Sequence, residues 1–197
     1  MQNAGIRKNA VVVWIIENLM STWRNDNMNV FDAIQARYSV RSYKMQDVEE
    51  EKLLRLFEAA RLAPSANNRQ EWRFVVVKDA VTRQQLMHAA REQEFVGQAP
   101  VIVACCAVTD NHVMTCGQPC YPIDVSIAID HITLQAVEEG LGTCWIGAFY
   151  EDRVKKILGI PHVVRVVELL TVGYPADEGL PKNRLPLNTI VMRERWK

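Results

Sequence analysis

The chain has 197 residues, 49% of them apolar and 23% charged, and its 23 Lys and Arg are balanced by 23 Asp and Glu. A chain of this size favours one domain that buries roughly 70% of the surface its unfolded form exposes. The even charge balance excludes a global field that would draw in nucleic acid or an anionic membrane surface, so any anion site must be built from a local cluster of cations.

Cys105, Cys106, Cys116, Cys120 and Cys144 make an odd count, and two of them lie inside an apolar run. With no secretory leader in the sequence, that usage argues against a disulfide framework and for a reducing cytoplasm. Residues 1–28 read as an N-terminal extension. Val12, Ile15, Ile16, Leu19 and Trp23 share one face of a short amphipathic helix there, too short and too interrupted by Glu17 and Asn18 to span a bilayer. Met28 is an alternative natural start.

From Asn29 onward the pattern predicts a single domain, 29–197. Val30 to Arg37 reads as a short helix followed by extended chain to Tyr43. Asp47 with Glu50 has the spacing of a capping box, opening a helix that carries Leu53, Leu54, Phe57, Ala60 and Arg61 and stops before Pro64. Pro64 to Arg69 is rich in turn formers, Phe74 to Val77 reads as a strand, and Asp79 to Arg91 as an amphipathic helix. Pro100 to Val108 is a continuous apolar run, the mark of a central strand covered on both faces. Asn111 to Pro122 is irregular, and Ile123 to Glu139 is a long helix with little charge in its first half, ended by Gly140 and Gly142. Thr143 to Phe149 is a third strand, Glu151 to Leu158 a short helix and Val163 to Tyr174 a fourth strand. Thr189 to Met192 is a candidate extra strand in a tail rich in Pro and charge. Strands and helices mix without strict alternation, which predicts an α+β fold.

Four segments have the residue types for ligand chemistry. In extended backbone, Arg37, Ser39 and Arg41 of Arg37-Tyr38-Ser39-Val40-Arg41 share one face. Two guanidinium forks and a hydroxyl suit a phosphate monoester; a solvated basic loop has the same spacing. Pro64 to Trp72 offers Ser65, Asn67, Asn68 and Gln70 at a turn, either a capping turn or a polar edge for a ligand. Gly140 to Phe149 places Gly147 in a predicted strand, where glycine marks a bulge or the close approach of a flat ring. Gly173-Tyr174-Pro175-Ala176 leads to Lys182 and Arg184, another alternating cationic pair. His112, Cys116 and Cys120 have metal-like spacing, but Gly117 and Pro119 oppose the helix that would align them, and no metal is expected. A G-x-G-x-x-G turn after a strand is absent, so no Rossmann domain is expected.

In order and spacing these segments resemble the nitroreductase family: R-x-S-x-R at Arg37 to Arg41, P-S-A-x-N-x-Q-P-W at Pro64 to Trp72, G-L-G-T-x-W-I-G at Gly140 to Gly147, and G-Y-P-A followed by a basic pair. The resemblance runs from Asn29 to Val191. It implies a mainly antiparallel central sheet flanked by helices in an intertwined homodimer, with FMN at the interface and NADH or NADPH as a transient electron donor. Arg37, Tyr38, Ser39 and Arg41 would hold the phosphate end, assisted by Lys182 and Arg184. Pro64, Ser65 and Ala66 would edge the ring from the other subunit with Asn68 and Gln70 nearby, and Ile146 and Gly147 would supply backbone contacts. The implied reaction is ping-pong reduction of electron-poor acceptors such as nitroaromatics or quinones, with the hard step carried by the flavin and no catalytic side chain required. Glu71 departs from the family, which usually has Pro there. A flavin-binding sensor without turnover, or a flavin-destroying or dehalogenating relative on the same fold, is the alternative.

Overall fold

Every residue of Val101–Ala107 is buried, and this strand is the centre of the structure. The computed structural model describes residues 28–196; the amphipathic helix expected within the N-terminal extension lies outside them. In chain order the elements are α1 (Val30–Ala36), α2 (Glu50–Arg61), a 3-10 turn (Ala66–Asn68), β1 (Trp72–Val77), α3 (Ala80–Ala89) and α4 (Glu94–Gln98). They continue with β2 (Val101–Ala107), α5 (Cys120–Glu138), β3 (Gly142–Ile146), α6 (Glu151–Leu158), β4 (Arg165–Gly173) and α7 (Leu187–Ile190). The four strands form one sheet in the order β1-β2-β4-β3, antiparallel at every pairing.

Alternation along the strands sorts the core into two layers. Val101, Val103, Cys105, Leu170 and Val172 face α2 and α5, meeting Leu53, Leu56, Ile129 and Ile132. Ile102, Ala104, Cys106, Leu169 and Ile146 face the other way, onto Leu86, Val96 and Val154 of α3, α4 and α6. The sheet is thus covered by helices on both sides, as the apolar β2 run predicts. The α2–α5 layer is tied at one end by Arg55, whose guanidinium donates twice to the Glu139 carboxylate at 2.6 Å. Lys52 donates to the Glu139 carbonyl beside it. No helix among the described residues is long and apolar enough to cross a membrane.

The structure departs from the sequence reading in four places. The capping box lies at Asn29 and Asp32 of α1, whereas α2 begins after Glu49 with no side-chain cap, so Asp47 does not serve as one. The five-residue helix α4 is an element that reading does not contain. β3 ends at Ile146, so Gly147 follows the strand and is exposed instead of lying within it. The segment around Thr189 forms a single helical turn, α7, and not a strand: the Thr189 and Val191 amides donate back to the carbonyls of Pro186 and Leu187.

Candidate functional site

The segment after α1 adds itself to the open edge of β3. Ser39 bridges Thr143 in parallel, and the Val40 amide donates to the Thr143 carbonyl at 3.0 Å. Val40 turns inward, almost fully buried against Tyr43 and Ala99, so the intervening residues turn outward. Tyr43 fixes the other end: its hydroxyl donates to the Val40 carbonyl at 3.0 Å and lies 2.7 Å from Oγ1 of Thr171. Extended backbone held at both ends therefore presents Arg37, Ser39 and Arg41 on one side, as the spacing predicts.

Two further cations come to the same place. Lys182 donates to the carbonyls of Ile34 and Gln35 at the end of α1. Burial lowers the Lys182 pKa, and the positive charges of Arg184 and Arg37 lower it further, which registers how close the three lie. Tyr38 pins this tail. Its hydroxyl donates to the Asp177 carbonyl, and its ring packs on Gly179 so tightly that a Cβ there would lie 2.5 Å from Cδ2. Burial, with the Asp177 hydrogen bond second, pushes the phenol up to about 12. Among the described residues no carboxylate pairs with Arg37, Arg41, Lys182 or Arg184. A cation cluster held together without a counter-charge is a place for an anion.

Beneath Ser39 lies the buried thiol of Cys144. Burial raises its pKa, and the charges of Arg41 and Arg37 and a hydrogen bond with Ser39 pull against that rise. From Gly142 to Gly147 the chain covers roughly 16 Å at ~3.3 Å per residue. Trp145 packs toward α5, its indole N–H buried without a partner among the described residues. Pro122, Ile123, Ser126, Ile127, Asp130, His131 and Trp145 line an open cavity of about 630 Å³ there. Gly147 is exposed, and a Cβ on it would stand 3.7 Å from both carboxylate oxygens of Glu168 on β4. Glu168 is half-buried and makes neither an ion pair nor a hydrogen bond among the described residues; burial raises its pKa to about 7.

The loop 64–70 is separate from the cation cluster. Three of its residues, Asn67, Asn68 and Gln70, hold left-handed backbone with φ of 50°, 55° and 51°. Asn and short polar hydrogen bonds make that conformation tolerable. The Ser65 hydroxyl accepts from the Gln70 amide at 3.1 Å, and the Gln70 side chain donates to Asn68. The Ala66 amide donates to both oxygens of Asp124 at 3.2 Å, and Asp124 is buried in the second turn of α5. Glu71 is buried, with Oε1 held by the Arg69 guanidinium at 3.0 Å, and the same guanidinium binds Asp110 at 2.5 Å. The charge that replaces the family's Pro is therefore neutralised inside the loop and is not displayed at its mouth.

The arginine segment lies at the far end of α5, sharing a cavity of about 200 Å³ with Val137, Gly140 and Leu141. Asp124 and Val137 are separated by roughly 20 Å along the helix, at ~1.5 Å per residue. Within one chain, then, Arg37, Ser39, Arg41, Lys182 and Arg184 are brought together at the Thr143 end of β3, and Ile146 and Gly147 lie at its other end. Pro64, Ser65, Ala66, Asn68 and Gln70 are held beside Asp124, at the opposite end of α5 from the cluster. The sequence reading missed Asp124 and Glu168. Each is a lone carboxylate in an otherwise apolar stretch, and that isolation is the signal by which they stand out. Among the described residues no three His, Cys, Asp or Glu are grouped as a metal site.

The model of the Nitroreductase family matches residues 34–110 and 84–174 of this chain. A protein of Thermus thermophilus named NADH dehydrogenase is 32% identical over 187 residues, spanning 79% of this chain and 91% of its own length. A Bacillus subtilis protein named FMN reductase (NAD(P)H) is 29% identical over 184 residues, spanning 85% of this chain and 74% of its own. Among solved structures, a nitroreductase family protein of Clostridium difficile is similar with a TM-score of 0.77 at 31% identity, over 86% of this chain and 100% of that one. The matched segments include the arginine strand, the 64–70 loop and β3, and on these matches the chain belongs to the nitroreductase family.

Proposed function

We propose that residues 29–197 form an FMN-binding domain, and that the protein is an NAD(P)H oxidoreductase working as a homodimer on electron-poor acceptors such as quinones and nitroaromatics. The uncompensated cation cluster at the β3 edge is the observation that carries this reading. The residues fit the group: a phosphate monoester carries about two negative charges, and Arg37, Arg41, Lys182 and Arg184 supply the matching donors with Ser39 between them. The run from that cluster to Gly147 has the length of a polyol chain and a ring. Its far end offers an exposed glycine and the unpartnered indole N–H of Trp145. The Bacillus relative's name pairs FMN with NAD(P)H, which supports the same cofactor and donor here.

Bound there, FMN would supply the two-electron relay between a nicotinamide and an acceptor that enters the same pocket in turn. The protein's part is to hold and orient. The arginine strand anchors the phosphate, the edge at Ile146 and Gly147 lets a ring approach backbone, and the 64–70 loop offers polar groups to a ring edge. By the family resemblance, a second copy of the chain supplies that loop. The test is anaerobic mixing of the purified, FMN-loaded protein with NADH or NADPH while following flavin absorbance. Bleaching, and recovery on adding a quinone or nitroaromatic, is expected. A yellow protein that never bleaches would leave a binding module without turnover, and a protein that cannot be loaded with FMN would sink the reading altogether.

A further inference from the structure

An apolar groove beside α1 belongs to neither the cation cluster nor the 64–70 loop. Met28, Val30 and Ala33 at the start of α1, Leu62 just past α2 and Leu134 on α5 line a cavity of about 350 Å³. Val30 is 72% exposed and Leu62 58%, so large apolar side chains face water around one opening. Phe31 and Ile34 continue the exposed apolar surface along α1. Single exposed apolar residues are ordinary, whereas a contiguous patch marks a surface that another segment covers.

We propose that the occupant is the chain's own N-terminal segment, with Val12, Ile15, Ile16, Leu19 and Trp23 laid into the groove as the apolar stripe of a helix. The stripe has helical spacing, and Val12 to Trp23 spans roughly 17 Å at ~1.5 Å per residue. The groove needs less: its α5 wall, from His131 to Glu138, covers about 10 Å at the same rise. Met28 is itself a lining residue, so the segment before it arrives at the mouth of the groove. Asn25, Asp26 and Asn27 are turn formers, and Asn29 caps α1 directly after them. Residues 24–29 are a connection of ordinary length between two packed helices. So short a tether sets a high effective concentration at this groove, an advantage that a second copy arriving by diffusion lacks. Cover over α1 also steadies the cation cluster, because α1 runs into Arg37 and its Ile34 and Gln35 carbonyls anchor Lys182.

The test is amide hydrogen exchange on the full chain, read by mass spectrometry. In the wild type, the amides of 12–23 should exchange at least about tenfold more slowly than those of an unstructured chain of that sequence. Leu62→Glu places a charge at the groove's exposed wall and should remove most of that protection, while α5 exchanges as in the wild type. Leu19→Glu, on the stripe, should in turn speed exchange across α1. If Leu62→Glu also loosens α5, Val30→Glu is read instead, since a carboxylate is favoured in the first turn of a helix. Unprotected amides at 12–23 in the wild type overturn the proposal, as does protection that both groove variants leave intact. Protection of 12–23 that disappears on dilution places the segment on a second copy and overturns docking on its own chain.

Discussion

Val40 and Gly142 meet so closely that a single methyl group on Gly142 would lie 2.3 Å from Cγ2 of Val40 and 3.1 Å from its Cβ. The glycine that follows α5 is there because the arginine strand crosses it. Gly142→Ala is therefore expected to destabilise the fold by about 1–3 kcal/mol, the range for overpacking a filled core, and to push Arg37 and Ser39 off the β3 edge. Val40→Ala in the same chain should restore much of the loss. Urea unfolding of the two single variants and the double variant reads this; additive losses would mean the contact is not the cause.

Most of the scaffold was legible in the sequence, because alternation and apolar runs report burial directly. The β2 run announced a strand covered on both faces, and Arg37 to Arg41 announced one face of alternating cations. What was hidden depends on contacts distant in sequence. Nothing local tells Glu49 from Asp47 as the start of α2, because that boundary is set where Leu53 meets the core and not by a cap. Gly147 reads as part of a strand until β4 is seen to stop pairing at Ile146. Asp124 and the 64–70 loop meet only through α5, and the separation of that loop from the cation cluster depends on the length of the helix between them.

If the cluster holds a phosphate, Arg37→Ala and Arg41→Ala should each weaken FMN binding by about 1.5–3 kcal/mol, the worth of a hydrogen bond to a charged group. Riboflavin lacks the phosphate, so its binding should be almost unchanged in both variants. Quenching of flavin fluorescence gives both affinities. An equal loss for FMN and riboflavin would point to collapse of the strand, and no loss for either would move the phosphate elsewhere.

Arg69 neutralises Glu71, whose second carboxylate oxygen is buried and without a partner among the described residues. Removing the arginine alone leaves a buried charge uncompensated, whereas replacing the acid as well removes the problem. Arg69→Ala should therefore lower the urea midpoint more than Glu71→Gln does, and the double variant should be more stable than Arg69→Ala. If the double variant matches or falls below Arg69→Ala, the pair is not the source of the loop's order.

Glu151 and Glu168 should respond to pH in opposite directions. Burial raises the Glu151 pKa, but hydrogen bonds from Arg165, the Val166 amide and Lys155 outweigh it and lower the pKa from the ordinary 4.5 to about 2. A depressed carboxylate stabilises the fold fully above its unfolded pKa, and that contribution is lost as pH falls from about 4.5 towards 2. Glu168 is raised to about 7, so the folded state holds its proton more tightly than the unfolded chain does. Its contribution is present below the unfolded value and disappears as pH rises towards neutrality. Urea midpoints across pH should accordingly show wild type losing its advantage over Glu151→Gln in acid. The same measurement should show Glu168→Gln gaining on wild type as pH rises through 7. Parallel midpoint curves for a variant and wild type would mean that the side chain has the same pKa folded and unfolded, and for Glu168 that its half-buried seat between β4 and Gly147 is relieved by solvent.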